Sequence, residues 1–224
     1  MVKLELRERD YIVFREVERW RVCLGRHIQF LAGFSSPRTC DRRLGKMLGA
    51  GLLSRRTVMY GVPNIYQLTR KSKTLIGANQ RQEQIRLDQI RHDVTTLDMA
   101  ICFMKYLGLS NADIKTEKQL YQQNGFGTRT HHPDFVFTKD DKTYCVEVEL
   151  SIKSMARLEK NIKANFMKYD TQIWITDEIG SANGSKLTRI LERFKTPYPN
   201  IQITNTQEVQ NYDFRFIDPI SKSG

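Results

Sequence analysis

Apolar residues recur at Val13, Val17, Trp20 and Leu24, steps of four, three and four that lay one stripe along a helix starting near Asp10. Gly25 is the expected end of that helix. A shorter helix through Ile28 and Leu31 follows. Ser36 and Pro37 then give a start signal, a hydroxyl N-cap ahead of a proline at the first helical position. In this third helix Cys40, Leu44, Met47 and Leu48 share an apolar face, while Arg38, Arg42 and Lys46 lie on the opposite one with Asp41 diluting their charge. Gly51 suits the C-cap. The stretches "LLSRRTVMY" and "IYQLT" around Tyr60-Gly61-Val62-Pro63-Asn64 predict a two-stranded wing. Three helices followed by a β-wing predict a winged helix over residues 1–77.

Residues 79–107 show a helical pattern, polar at first and apolar later, with a domain boundary expected near Gly77. Past residue 130 the pattern becomes strand, turn, strand, helix, strand, helix, strand: DFVFTK, TYCVEVEL, SMARLEKNIKANFMKY, QIWIT, SKLTRILERF and NIQIT. Residues 78–224 are therefore expected to form an α/β domain.

Asp140-Asp141 separates the first two of these strands. A two-residue hairpin there pairs positions whose numbers sum to 281, which sets Asp134 opposite Glu147. Opposed Cβ atoms on one sheet face stand only ~5 Å apart, so two carboxylates there repel unless a cation lies between them. Mg²⁺, which takes one or two carboxylates with water and phosphate oxygens, suits the pair. Glu149 falls on the same face as Glu147, and Val146, Val148 and Leu150 are expected in the core.

Charge is uneven. Residues 1–90 hold 18 of the 36 Lys and Arg but only 8 of the 25 Asp and Glu. A basic half joined to a balanced half points to a polyanionic partner, double-stranded DNA above all. In that setting Arg38, Arg42, Arg43 and Lys46 on the third helix face the major groove, with Arg42 and Lys46 the base contacts. Arg55 and Arg56 at the start of the wing meet phosphates. Lys153, Arg157, Lys160 and Lys163 form a second basic run that fits a phosphate track or a solvated face. No apolar run reaches eighteen residues and the N-terminus is charged, so a cytoplasmic protein with no membrane partner is expected. Cys23, Cys40, Cys102 and Cys145 lack any CxxC spacing and are expected as reduced thiols, and His131-His132 does not complete a zinc pattern with them.

The "HPD" at 132–134 and the "EVE" at 147–149, with twelve residues between the Asp and the first Glu, resemble the PD-(D/E)XK nuclease superfamily. Asp134 and Glu147 match its metal-binding acids. Where the family usually carries Lys, this chain has Glu149, similar to an acidic variant found in some restriction endonucleases, and Lys153 lies two alternations further on as a displaced lysine. The resemblance implies Mg²⁺ held by Asp134 and Glu147, with Glu149 or Lys153 orienting a water. It also makes His92, Asp93 and Asp98, in the helix before the sheet, candidates for a further acid.

The ordered set "RRLGKMLGAGLLSRR", "YQLTRKSK", "RHDVTTLDMA" and "YCVEVELSIKS", over residues 10–177, resembles the replication-relaxation family of plasmids and integrative elements. The fold implied is an N-terminal winged helix followed by a PD-(D/E)XK restriction-endonuclease-like α/β domain. The activity implied is replication or DNA transfer of a mobile element, either as a Mg-dependent nuclease or nickase or as a non-catalytic regulator or relaxosome accessory factor. Relaxosome or replication proteins and a second copy of the chain are the protein partners this implies.

Overall fold

The computed structural model describes residues 4–58, 63–80, 86–123, 130–177 and 182–214. The wing tip expected at Tyr60-Gly61-Val62 lies outside the described residues, as do residues 81–85 of the expected long helix. The chain is mixed α/β with two sheets, one in each of two compact units, Met1–Ile101 and Cys102–Gly224.

In the first unit the order is α1 (Glu8–Trp20), β1 (Cys23–Leu24), α2 (Gly25–Leu31), α3 (Pro37–Gly49), β2 (Leu53–Arg56), β3 (Ile65–Leu68), α4 (Arg70–Leu75) and the first part of α5 (Leu87–Leu107). Val13, Phe14, Val17, Trp20, Ile28, Leu44 and Met47 are buried and make the core that the apolar stripes predict. Ser36 caps α3 as expected, its Oγ accepting from the Thr39 backbone N–H at 3.2 Å, a contact that contributes about 1 kcal/mol.

The first helix is shorter than its stripe. It stops at Trp20, Arg21 turns with φ 63°, and Leu24 enters β1, where it pairs with Ile65 of β3. Gly25 therefore opens α2 instead of closing α1. Strand pairing that buries Val22, Cys23 and Leu24 outcompetes a fourth helical turn. The three strands are antiparallel in the order β1-β3-β2.

The boundary between the units falls inside α5 and not near Gly77. Ile90 packs with Val22, Leu24 and Ile65, and Asp98 is bonded by Arg26 and His27, so the start of α5 completes the first core.

The second unit takes the end of α5, then β4 (Ile114–Thr116), α6 (Glu117–Gln123), β5 (Phe135–Lys139), β6 (Lys142–Glu149), α7 (Met155–Phe166), β7 (Thr171–Thr176), α8 (Ala182–Phe194), β8 (Ile201–Asn205) and α9 (Thr206–Gln210). The strands lie in sequence order, β4 to β6 antiparallel and β6 to β8 parallel, with α7 and α8 as the crossover helices. On one sheet face Phe103 of α5 meets Phe135 and Phe137 at ring-centroid distances of 5.9 and 5.5 Å. On the other, Trp174 packs with Leu158 and Ile162 of α7 and Leu187 and Leu191 of α8.

The hairpin register is the expected one, running from Phe135↔Val146 to Lys139↔Lys142. Asp140 and Asp141 both adopt left-handed conformations, φ 49° and 57°, the pair of positive values that a type I′ turn requires.

Candidate functional site

The ladder, continued by one residue beyond Phe135↔Val146, opposes Asp134 and Glu147 at the head of the hairpin. Asp134 is half-buried, and its Oδ2 accepts the Val148 backbone N–H at 2.7 Å, which holds the carboxylate across the β5–β6 junction. Glu147 and Glu149 are only 4% and 3% exposed, so the acidic face is covered. Val146 and Val148 are buried on the other face as expected, whereas Leu150 is half-buried at the strand end.

Each carboxylate has a protein partner. Glu147 Oε1 accepts from His131 Nε2 at 2.5 Å and from Asn165 Nδ2 of α7 at 2.8 Å, so both bonds converge on one oxygen. Glu149 Oε2 is in contact with Lys153 Nζ, so the displaced lysine does reach back. Burial pushes the Glu149 carboxyl upward, and the charges of Asp134 and Glu147 add to that, while Lys153 pulls it down without cancelling the rise. Tyr169, just past α7, has its hydroxyl pushed up to about 12 by burial, with Cys145 and Glu147 adding to the rise. His132 is held below the ordinary imidazole value by burial and by the neighbouring charges of Lys168 and His131, and its ring meets Tyr121 edge-on at 4.5 Å.

His131 and Asn165 belong to this site although the strand pattern does not single them out. His131 precedes β5, so an argument from alternation along strands is blind to it. Asn165 has a legible signal: with Asn161 it interrupts the buried face of α7 at i and i+4 among Leu158 and Ile162. Among the described residues no group of three or more His, Cys, Asp or Glu side chains forms a ready-made metal cage.

In the first unit Arg38, Arg42 and Lys46 are exposed on the face of α3 opposite Cys40, Leu44 and Met47. Arg42 and Lys46 also border a cavity with Arg7 and Arg9. Arg55 and Arg56 are exposed on β2, Arg55 paired with Tyr66 of β3. Arg43 stands apart from this set. Its Nε donates to Asp10 Oδ1 at 2.8 Å and its guanidinium also bonds Asp10 Oδ2 and the Glu5 carbonyl, so it ties α3 to the start of α1. A helix residue midway between the buried and exposed faces reaches the neighbouring helix more readily than a groove.

The candidates in α5 are engaged in the first unit: His92 Nδ1 is 3.5 Å from Asp93 Oδ1, and Asp98 is bonded by Arg26 and His27. Cys23, Cys40 and Cys145 are buried thiols, all three raised by burial and unsuited to nucleophilic work. No helix of the described residues is long and apolar enough to cross a membrane. No protein-family model matches the chain, and no curated protein matches it in sequence.

Proposed function

We propose that the chain is a DNA-binding protein of a plasmid or integrative element that acts on the DNA backbone, its first unit a winged helix reading duplex DNA and its second a PD-(D/E)XK-like nuclease or nickase domain. The observation that carries this reading is the hairpin geometry that opposes Asp134 and Glu147 with Lys153 drawn back onto Glu149. Like charges clustered and buried on a covered sheet face cost stability, and that cost is most simply explained by work done there. The order of helices, strands and hairpin in the first unit, with an exposed basic face on α3, fits groove reading.

The donor chemistry fits Mg²⁺, which uses one or two carboxylates together with water and substrate phosphate instead of a full protein cage. Asp134 and Glu147 would hold it, and the ion, when bound, supplies charge stabilisation at the phosphate and makes water more acidic. Asn165 and His131 fix the orientation of Glu147. Glu149, whose carboxyl is pushed upward, is suited to accept a proton from a water at the phosphate, and Lys153 keeps it in place.

A second reading is a non-catalytic regulator or relaxosome accessory factor that keeps the acidic face as scaffold. It is favoured by the protein partners that Asp134, Glu147 and Glu149 already have. Supercoiled plasmid carrying candidate transfer origins, incubated with the chain and Mg²⁺ or Mn²⁺, separates the two. Nicking or cutting by the native chain, lost in Asp134→Ala and Glu147→Ala, supports the enzyme. Salt-sensitive DNA binding without cleavage, and no calorimetric signal for either metal, supports the scaffold.

A further inference from the structure

A cavity of about 510 Å³ lies where the start of α1 meets α3. Five cationic side chains border it, Arg7, Arg9, Arg42, Arg43 and Lys46, against two carboxylates, Glu8 and Asp10. Arg43 and the buried Asp10 bond one another, so they cancel and tie the two walls together. Arg7, Arg9, Arg42 and Lys46 are exposed, and none of them forms an ion pair among the described residues. Four cations therefore face one concave space with Glu8 alone to answer them, a field that draws in an anion. The Arg9 guanidinium stands 5.0 Å from the centre of the Phe34 ring, which steadies one wall.

The space is a trough and not a pit. A second cavity of about 510 Å³ shares Arg7, Arg43 and Lys46 with the first and continues to Gly49. Together they follow α3 from Thr39 to Gly49, ~15 Å at 1.5 Å per residue, too long for a single phosphate ion and suited to a run of phosphates. The trough occupies one flank of α3. On the other flank Asp41, Gly45 and Leu48 border a separate cavity with Arg55 and Asn64, on the wing side. A helix lying in the major groove runs between two phosphate backbones, and the wing accounts for only one of them.

We infer that Arg7, Arg9 and Lys46 form a cleft that grips the second DNA backbone, on the flank of α3 away from the wing. The inference rests on the reading of the first unit as a winged helix that binds duplex DNA. Arg7 and Arg9 offer planar, fork-shaped donors that can take phosphate oxygens in pairs, and Lys46 adds a point charge. The duplex is then held on both sides of α3, which fixes the register of the helix in the groove and leaves its exposed face to read bases.

The test is fluorescence anisotropy of a labelled random-sequence duplex titrated with the full chain at several salt concentrations. The backbone N–H of Arg7 bonds Asp10, so Arg7→Ala keeps the start of α1. Arg7→Ala and Arg9→Ala should each lower the slope of log affinity against log salt by about one and weaken binding about fivefold at about 0.15 M salt. Arg15→Ala, which removes an exposed α1 arginine outside the trough, should keep the native slope. Native slopes in both Arg7→Ala and Arg9→Ala, or an equal drop in Arg15→Ala, overturn the cleft. Such native slopes beside a reduced one in Arg55→Ala leave the DNA reading standing without it. A native chain that binds no duplex at low salt overturns both. Poly-glutamate that binds as tightly as the duplex, with the same two variants weakened, also overturns the cleft by making its occupant an acidic peptide.

Discussion

Arg43 Nε lies 2.8 Å from Oδ1 of Asp10, and the Asp10 side chain is only 1% exposed. The same carboxylate accepts the Arg7 backbone N–H at 2.8 Å, so a single buried charge fixes the entry into α1 and its attachment to α3. Arg43→Ala should leave that charge uncompensated and destabilise the chain by about 2–4 kcal/mol. Arg38→Ala and Arg42→Ala, both at exposed positions, should stay within about 0.5 kcal/mol of native stability. Urea denaturation of the three variants checks this, and an Arg43→Ala chain as stable as the native one would refute the clamp.

Under the proposed function the exposed basic residues divide by role. Arg42→Ala should cost about 1–3 kcal/mol on a specific duplex and little on random sequence. Arg55→Ala and Arg56→Ala should weaken all duplexes alike and each reduce the salt slope by about one. Fluorescence anisotropy at several salt concentrations reads both effects. A uniform loss for Arg42→Ala would place it on the phosphates instead.

The hairpin and the α3 start were legible because each is set by local chemistry. Two aspartates can occupy the left-handed positions of a two-residue turn, and the register of the five pairs from Phe135↔Val146 to Lys139↔Lys142 follows from that; Ser36-Pro37 needs nothing beyond its own turn. The role of Gly25 is not legible locally, because it depends on a distant strand, Ile65–Leu68, that captures Cys23 and Leu24. The acids Asp134, Glu147 and Glu149 could be placed from strand periodicity. Their partners His131 and Asn165 come from a segment before the sheet and from a crossover helix, and no one-dimensional period relates those to β6.

The turn itself is testable. Asp141→Gly removes the Cβ strain of φ 57° and should stabilise the chain by a few tenths to about 1 kcal/mol, whereas a β-branched Asp141→Val should cost about 1–2 kcal/mol. Chemical denaturation midpoints measure both. Equal midpoints for Gly and Val at this position would mean that the turn is not of this type.

Acid should weaken the first unit through His27 and Asp98. The Leu24 N–H donates to His27 Nδ1 at 3.2 Å, so Nε2 carries the proton that is donated to Asp98 Oδ1 at 2.8 Å, and a second proton on Nδ1 would face an amide. Burial holds His27 below its ordinary 6.5 even though Asp98 pulls it up. Burial pushes Asp98 up, but the hydrogen bonds and charges of His27 and Arg26 outweigh this and hold it below 3.8. In both cases the unfolded chain takes the proton first. The His27 contribution is complete above pH 6.5 and falls away as pH drops towards its lower folded value, and the Asp98 contribution is lost only below pH 3.8. The melting temperature should therefore fall between pH 7 and pH 5, and His27→Gln, which can accept and donate in the same places, should flatten that slope. An unchanged slope in the variant would assign the pH dependence elsewhere.

The contact between Lys153 and Glu149 separates a structural from a functional lysine. Glu149 is 3% exposed and its carboxyl is already pushed upward with Lys153 in place, so Lys153→Ala leaves a buried charge without its counter-ion and should cost about 1–3 kcal/mol. Lys153→Arg, which keeps the charge, should retain most of that. The double replacement Glu149→Gln with Lys153→Met removes both charges together, and buried pairs exchanged in this way are often neutral to stabilising by about 1–4 kcal/mol. A double-mutant cycle in urea then yields a coupling of about 0.5–3 kcal/mol between the two side chains. A coupling near zero would mean that the lysine is solvated and the contact contributes nothing. Should the native chain nick plasmid, the double replacement becomes a sharp test of the site: a fold as stable as native, with Asp134 and Glu147 intact, that no longer cuts would assign the lost activity to the Glu149–Lys153 pair and not to unfolding.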